Sequence, residues 1–94
     1  MEKENRPDLS PKLEKKRKEI NVIDQKLLTF LNQRLRTALE IGKIKKGLGK
    51  KIYDPAREEE VLKYLRRKNK GPLKEKDLEK IFTTIMEVCR KSQI

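Results

Sequence analysis

Residues 10 to 47 read SPKLEKKRKEINVIDQKLLTFLNQRLRTALEIGKIKKG, and this stretch decides the fold. Ser10 is an N-cap residue and Pro11 follows at the first helical position, where its missing N–H is no loss. Nothing then breaks the pattern until Gly47 and Gly49. The segment predicts a helix of about 36 residues, which is about 54 Å long at the rise of an α-helix. A compact monomer of 94 residues has a radius of gyration of only about 12 Å. Leu13, Ile20, Ile23, Leu27, Leu31, Leu35, Ala38 and Ile41 form an apolar stripe along the whole length. The rest of the chain is too short to cover such a stripe, so the sequence predicts an intertwined homo-oligomer.

Outward from this helix, Gly47-Leu-Gly-Lys-Lys-Ile-Tyr53 reads as a loop ending at Asp54-Pro55. Asp54 caps a second helix whose early residues Glu58, Glu59 and Glu60 suit the positive end of the helix dipole. That helix carries Val61, Leu62 and Leu65 inward and runs to about Lys68, before an Asn69-Lys-Gly-Pro72 turn. From about Lys74 to Ser92 a third helix shows Leu78, Ile81, Phe82, Ile85, Val88 and Cys89 at three-to-four spacing. No segment alternates long enough to make a strand. The expected fold class is all-α: three helices, the first very long, in an intertwined homodimeric helical bundle. Residues 1–10 are expected to be a flexible N-terminal segment and residues 11–94 the helical domain.

Composition narrows the function. The chain has 26 Lys+Arg against 15 Asp+Glu, a net charge of +11, no His, and one Cys. Without His and with a single thiol, zinc sites and Ser-His or Cys-His catalysis are excluded, and no metal or cofactor is expected. A lone Cys makes no intrachain disulfide and fits a reducing compartment. MEKENRPDLSPK has no apolar run that could serve as a signal peptide, and no stretch approaches a membrane span. A soluble, cytoplasmic protein is expected, with no membrane partner.

The informative charges are those inside the apolar stripe. On a helical wheel Arg34 falls between Ile23, Ala38 and Ile41, and Lys45 returns to the same line eleven residues later. Arg17 lies at the other side of the stripe, in register with Asp24, Leu28 and Leu35. Cations facing a core each cost several kcal/mol unless something anionic meets them. One reading pairs them with Asp24, Glu58 or Glu87, or lets them snorkel to the surface. The other brings Arg34 and Lys45, about 16 Å apart along the axis by rise per residue, to the two ends of a small dianion. The start of the second helix, with Asp54, Arg57, Glu58 and its free backbone N–H groups, would add to such a site. On the third helix Gln93 lies four residues after Cys89, which lies four after Ile85, so the apolar stripe continues in polar residues.

The order and spacing of these positions resemble the all-helical chorismate mutases over nearly the whole chain, from about Leu13 to Gln93. The carrying segments are Arg17-Lys-Glu-Ile-Asn-Val-Ile-Asp24, Leu31-Asn-Gln-Arg34, Glu40-Ile-Gly-Lys-Ile-Lys45 and Tyr53-Asp-Pro-Ala-Arg57-Glu-Glu-Glu60, with a Cys89-x-x-x-Gln93 ending. The resemblance implies a homodimer intertwined through the long first helices, with two active sites each completed by the partner. It makes Arg17, donated across the dimer, and Arg34 the carboxylate clamps. Lys45 would contact a carboxylate and the ether oxygen of chorismate, and Gln93 the same ether oxygen. Glu58 and the backbone around Asp54 would hold the substrate hydroxyl, and Arg57 would add positive charge. Ile41, Val61, Ile85 and Met86 are the candidate apolar walls. At position 89 the family has serine where this chain has Cys89, and Lys74 stands where a capping Ser or Asp is usual.

The implied reaction is the pericyclic rearrangement of chorismate to prephenate in phenylalanine and tyrosine biosynthesis. It needs no proton transfer and no covalent intermediate, so a chain without His suits it. Catalysis would come from selecting the compact conformer and stabilising charge on the ether oxygen. The rivals are a basic helical nucleic-acid-binding module and a mutase-like domain that binds a regulator without turnover. Residues 42–52 hold five lysines and no acid, which favours the first rival. Only Phe30, Tyr53, Tyr64 and Phe82 could stack on bases and no nucleic-acid-binding signature is present, so no nucleic-acid partner is expected. The chain suits a free-standing enzyme or the N-terminal piece of a bifunctional one equally.

Overall fold

A computed structural model describes residues 7–94 and has three α-helices in chain order: α1 (Ser10–Gly47), α2 (Pro55–Lys68) and α3 (Glu75–Ser92). No strand occurs among the described residues, and no helix there is long and apolar enough to cross a membrane. The all-α class and the three elements agree with the sequence reading. Of the expected N-terminal segment 1–10, residues 1–6 lie outside the described residues. The helix start is shifted slightly from the Ser10-Pro11 pattern. The Leu9 carbonyl accepts the first bond, from the Leu13 N–H at 3.0 Å, and Asp8 Oδ1 accepts from the Ser10 backbone N–H at 2.9 Å. That backbone hydrogen bond also holds the Asp8 carboxyl below its ordinary range.

The chain divides into two compact units, Met1–Gln33 and Arg34–Ile94. The described part of the first is helical from Ser10 onward. Its apolar side chains stay exposed, Leu13, Ile20, Ile23 and Leu27 among them, with Ile23 at 55%. In proteins, packing of the apolar face supplies most of a helix's stability.

In the second unit α2 packs on α3. Its core is small: Ala38 from α1, Leu62 from α2, and Leu78, Met86 and Cys89 from α3. Arg66 bridges the two helices, reaching Glu59 at 3.0 Å and Glu79 at 2.6 Å. α1 ends in a Schellman motif. Gly49 takes a left-handed φ of +67°, the Lys50 N–H donates to the Lys45 carbonyl at 2.8 Å, and the Gly49 N–H to Lys46 at 3.2 Å. The chain therefore turns back over Lys45 on leaving the helix. Asp54 then caps α2, its Oδ1 accepting from the Arg57 N–H at 3.0 Å, with Pro55 opening the helix. The expected turn follows α2, held by Asn69, which accepts from the Gly71 N–H at 3.0 Å and donates to the Leu73 carbonyl at 2.7 Å. Lys74 precedes α3 and makes no side-chain cap.

Candidate active site

The helices of the second unit enclose a cavity of about 280 Å³. Each element contributes for a local reason. The last turns of α1 present Arg34, Thr37, Ile41 and Lys45, spaced so that they share one helical face. The capped first turn of α2 presents Asp54, Arg57 and Glu58, and the last turns of α3 present Met86, Cys89, Arg90 and Gln93. Seven of the eight residues singled out from the sequence thus line one space: Arg34, Lys45, Asp54, Arg57, Glu58, Cys89 and Gln93. The eighth, Arg17, lies in the first unit beside a surface groove with Leu13 and Ile20. Of the candidate apolar walls, Ile41, Val61 and Met86 line the cavity, while Ile85, half-buried on α3, does not.

The charges inside are unbalanced. Arg34, Lys45, Arg57 and Arg90 face Asp54 and Glu58, four cations against two carboxylates. Among the described residues neither Arg34 nor Lys45 forms an ion pair, so the pairing with Asp24, Glu58 or Glu87 weighed from the sequence does not occur. Arg34 Nη1 instead donates to Cys89 Sγ at 3.1 Å, a weak acceptor that occupies one of five guanidinium donors. Lys45 Nζ donates to the Ile52 carbonyl at 3.0 Å. This bond and the Schellman turn hold the ammonium in place and leave two of its three donors for a ligand. Arg57 turns outward to Glu60 at 3.2 Å. Glu87, the remaining carboxylate considered, pairs on the surface with Lys91 at 2.7 Å, and that hydrogen bond lowers its carboxyl below the ordinary range.

Gln93 lies against α1 because position 42 is glycine. A Cβ on Gly42 would stand 2.9 Å from Gln93 Cγ. The Gln93 side-chain oxygen is buried without a hydrogen-bond partner, a state that costs free energy until a ligand or water satisfies it.

The sequence reading missed Arg90 and Gly42. Arg90 Nη1 donates to Glu58 Oε2 at 2.7 Å, and its guanidinium carbon lies 4.3 Å from the centroid of the Tyr53 ring. The signal available was its spacing, four residues after Met86 and three before Gln93 on one face of α3.

A cavity of this size with excess positive charge and no nucleophile–base pair suits a small polyanion that is held rather than attacked. Residues 16–94 match the family model of chorismate mutase type II. The chain belongs to the chorismate mutase type II family.

Among solved structures, a chorismate mutase (form II) from Thermus thermophilus superposes with a TM-score of 0.85 at 34% identity, covering 87% of this chain and 93% of that one. Form I from the same organism gives 0.81 at 36% identity, covering 83% and 98%. A bifunctional chorismate mutase/prephenate dehydratase of Pseudomonas aeruginosa is 35% identical over 75 residues, 74% of this chain and 20% of that protein. A relative of the same name from Aquifex aeolicus is 36% identical over 81 residues, 82% and 22% respectively. The chain therefore spans about a fifth of the length of the curated chorismate mutase relatives it matches.

Proposed function

We propose that this chain is itself a chorismate mutase, isomerising chorismate to prephenate. The observation that carries the reading is the pair Arg34 and Lys45, two cations without carboxylate partners lining the same cavity as Gln93. Chorismate is a dianion that would neutralise both cations.

In the reaction the ether C–O bond breaks as a C–C bond forms within one molecule, and no proton or electron leaves it. The protein must hold the side chain over the ring and stabilise negative charge growing on the ether oxygen. Arg34 clamps a carboxylate. Lys45, anchored through Ile52, gives a donor to the ether oxygen, and Gln93 gives an amide N–H to the same atom. Glu58 accepts from the substrate hydroxyl beside the Asp54 backbone, Cys89 lies against a bound carboxylate, and Arg57 adds positive potential at the mouth. Such groups are fixed before the reaction and act most strongly where water is excluded, worth several kcal/mol of barrier together.

The active form in this proposal is a homodimer in which the exposed apolar face of α1 is covered by the partner and Arg17 is donated across it. The half-exposed Ile20, Ile23 and Leu27 support this, since fully burying each such side chain is worth about 1.5–3 kcal/mol. The proposed place of action is the cytoplasm, on the single unpaired cysteine.

The deciding experiment follows the loss of chorismate absorbance on adding protein, beside salt-dependent binding to a nucleic-acid duplex. Turnover without tight duplex binding supports the mutase. Tight duplex binding without turnover would establish the basic nucleic-acid module in its place.

A further inference from the structure

Glu58 is half of an ion pair whose other half is not among the residues assigned to the reaction. Arg90 Nη1 meets Glu58 Oε2 at 2.7 Å, and the two side chains are only 27% and 24% exposed. The same guanidinium lies over the Tyr53 ring at 4.3 Å, and Arg90 lines the cavity. Stacking on the ring fixes the guanidinium plane, and the fixed plane directs one N–H at one carboxylate oxygen. Glu58 stands on the first turn of α2, half-buried, and its long side chain needs a partner to hold it in one rotamer. With Oε2 engaged by Arg90, Oε1 is left as the acceptor, held in the cavity wall.

We propose that Arg90 is a positioning residue for recognition of the substrate hydroxyl: by gripping Glu58 from α3 while stacked on Tyr53, it keeps the free carboxylate oxygen where that hydroxyl binds. The proposal rests on the mutase reading above and adds to it a residue and a division of labour. Arg90 serves the hydroxyl end of the substrate through Glu58, and Arg34 and Lys45 serve the carboxylates and the ether oxygen directly. A merely structural Arg90 would affect every substrate alike, whereas a positioning one affects only substrates that bear the hydroxyl.

The test measures kcat and KM for chorismate and for its analogue lacking the ring hydroxyl, with the parent, Arg90→Ala, Arg90→Lys, Glu58→Gln and the Arg90→Ala/Glu58→Gln double variant. With chorismate, Arg90→Ala should raise KM roughly 10-fold and change kcat less than about 3-fold, as loss of one charge-assisted hydrogen bond implies. With the hydroxyl-free analogue, kcat/KM should change less than about 2-fold, and in the Glu58→Gln background Arg90→Ala should add less than about 2-fold for chorismate. Arg90→Lys, which keeps the charge without the stacked fork, should recover part of the loss. If circular dichroism shows that Arg90→Ala is unfolded, Arg90→Lys carries the test, its loss confined to the hydroxylated substrate. Equal losses on both substrates, or losses that multiply between Arg90 and Glu58, overturn the proposal and leave the mutase reading intact. A parent that turns over neither substrate overturns both.

Discussion

Gly42 and Gln93 are in a contact that only glycine permits: a Cβ at position 42 would lie 2.9 Å from Gln93 Cγ and 3.1 Å from Gln93 Cβ. The second distance matters most, because Cβ is not the far end of a flexible chain and cannot swing aside alone. Glycine in a helix interior costs about 1 kcal/mol relative to alanine, so the position gives up helix stability and gains close approach of α3. Gly42→Ala gains helix propensity but must push Gln93 and the end of α3 away, so Tm should stay unchanged or fall while kcat/KM falls at least about 10-fold through displacement of Gln93. Thermal unfolding and chorismate kinetics on the same preparation measure the two effects, and a fully active Gly42→Ala would remove Gln93 from the site.

Lys45 is held by the turn it helps to make, its carbonyl accepting from Lys50 and its ammonium donating to Ile52. A fixed cation beside a developing oxyanion is worth several kcal/mol, so Lys45→Ala should cost at least about 10³ in kcat/KM. Steady-state kinetics, with circular dichroism to establish folding, measure this. Retained activity would end the assignment.

A glutamate at position 93 presents a donor only when protonated. Gln93→Glu should be slow at neutral pH, where a carboxylate would repel the charge growing on the ether oxygen. Its activity should rise as the pH falls toward the ordinary glutamate range, about 4.3, while the parent shows no such rise. The pH profiles of kcat for the two proteins decide the point, and a flat profile for the variant would mean that Gln93 does not face the reacting oxygen.

Cys89 is buried, at 6% exposure, and accepts from Arg34 at 3.1 Å. A serine there offers a stronger donor and acceptor but is less apolar in a core that is already small. Cys89→Ser should lower KM for chorismate or leave it unchanged, with a small loss of Tm. Kinetics and thermal unfolding separate the two effects. A large loss of activity would show that position 89 does not face the substrate.

Ile23 stands at 55% exposure on an apolar face that a second copy would cover. Ile23→Lys should shift the protein from dimer to monomer at micromolar concentration in analytical ultracentrifugation and abolish turnover. If Arg17 comes from the partner, mixing the inactive Arg17→Ala and Lys45→Ala proteins should restore about a quarter of parental activity, since half of the randomly paired dimers carry one intact site. No recovery after subunit exchange would place Arg17 in the same protomer's site or outside it.

What the sequence by itself determined is local. The helices, the Asp54-Pro55 start of α2 and the turn at Asn69 follow from periodicity and capping, which act over a few residues. The cations Arg34 and Lys45 stood out for a similar reason, since their misfit within an apolar stripe is visible on one helix. Tertiary structure alone decided the partners. Glu58 could have met Arg34, Lys45 or neither, and it meets Arg90, 32 residues away, because packing of α2 on α3 brings those turns together. Gly42 reads in sequence only as a weak point in a helix, and its role is evident once Gln93 lies against it. Ile85 and Met86 are neighbours on α3, yet only Met86 faces the cavity, because a rotation of about 100° separates them and helix packing chooses which one faces in. Periodicity ranks residues on one element. Which of them meet across elements depends on distances that only the packed chain defines.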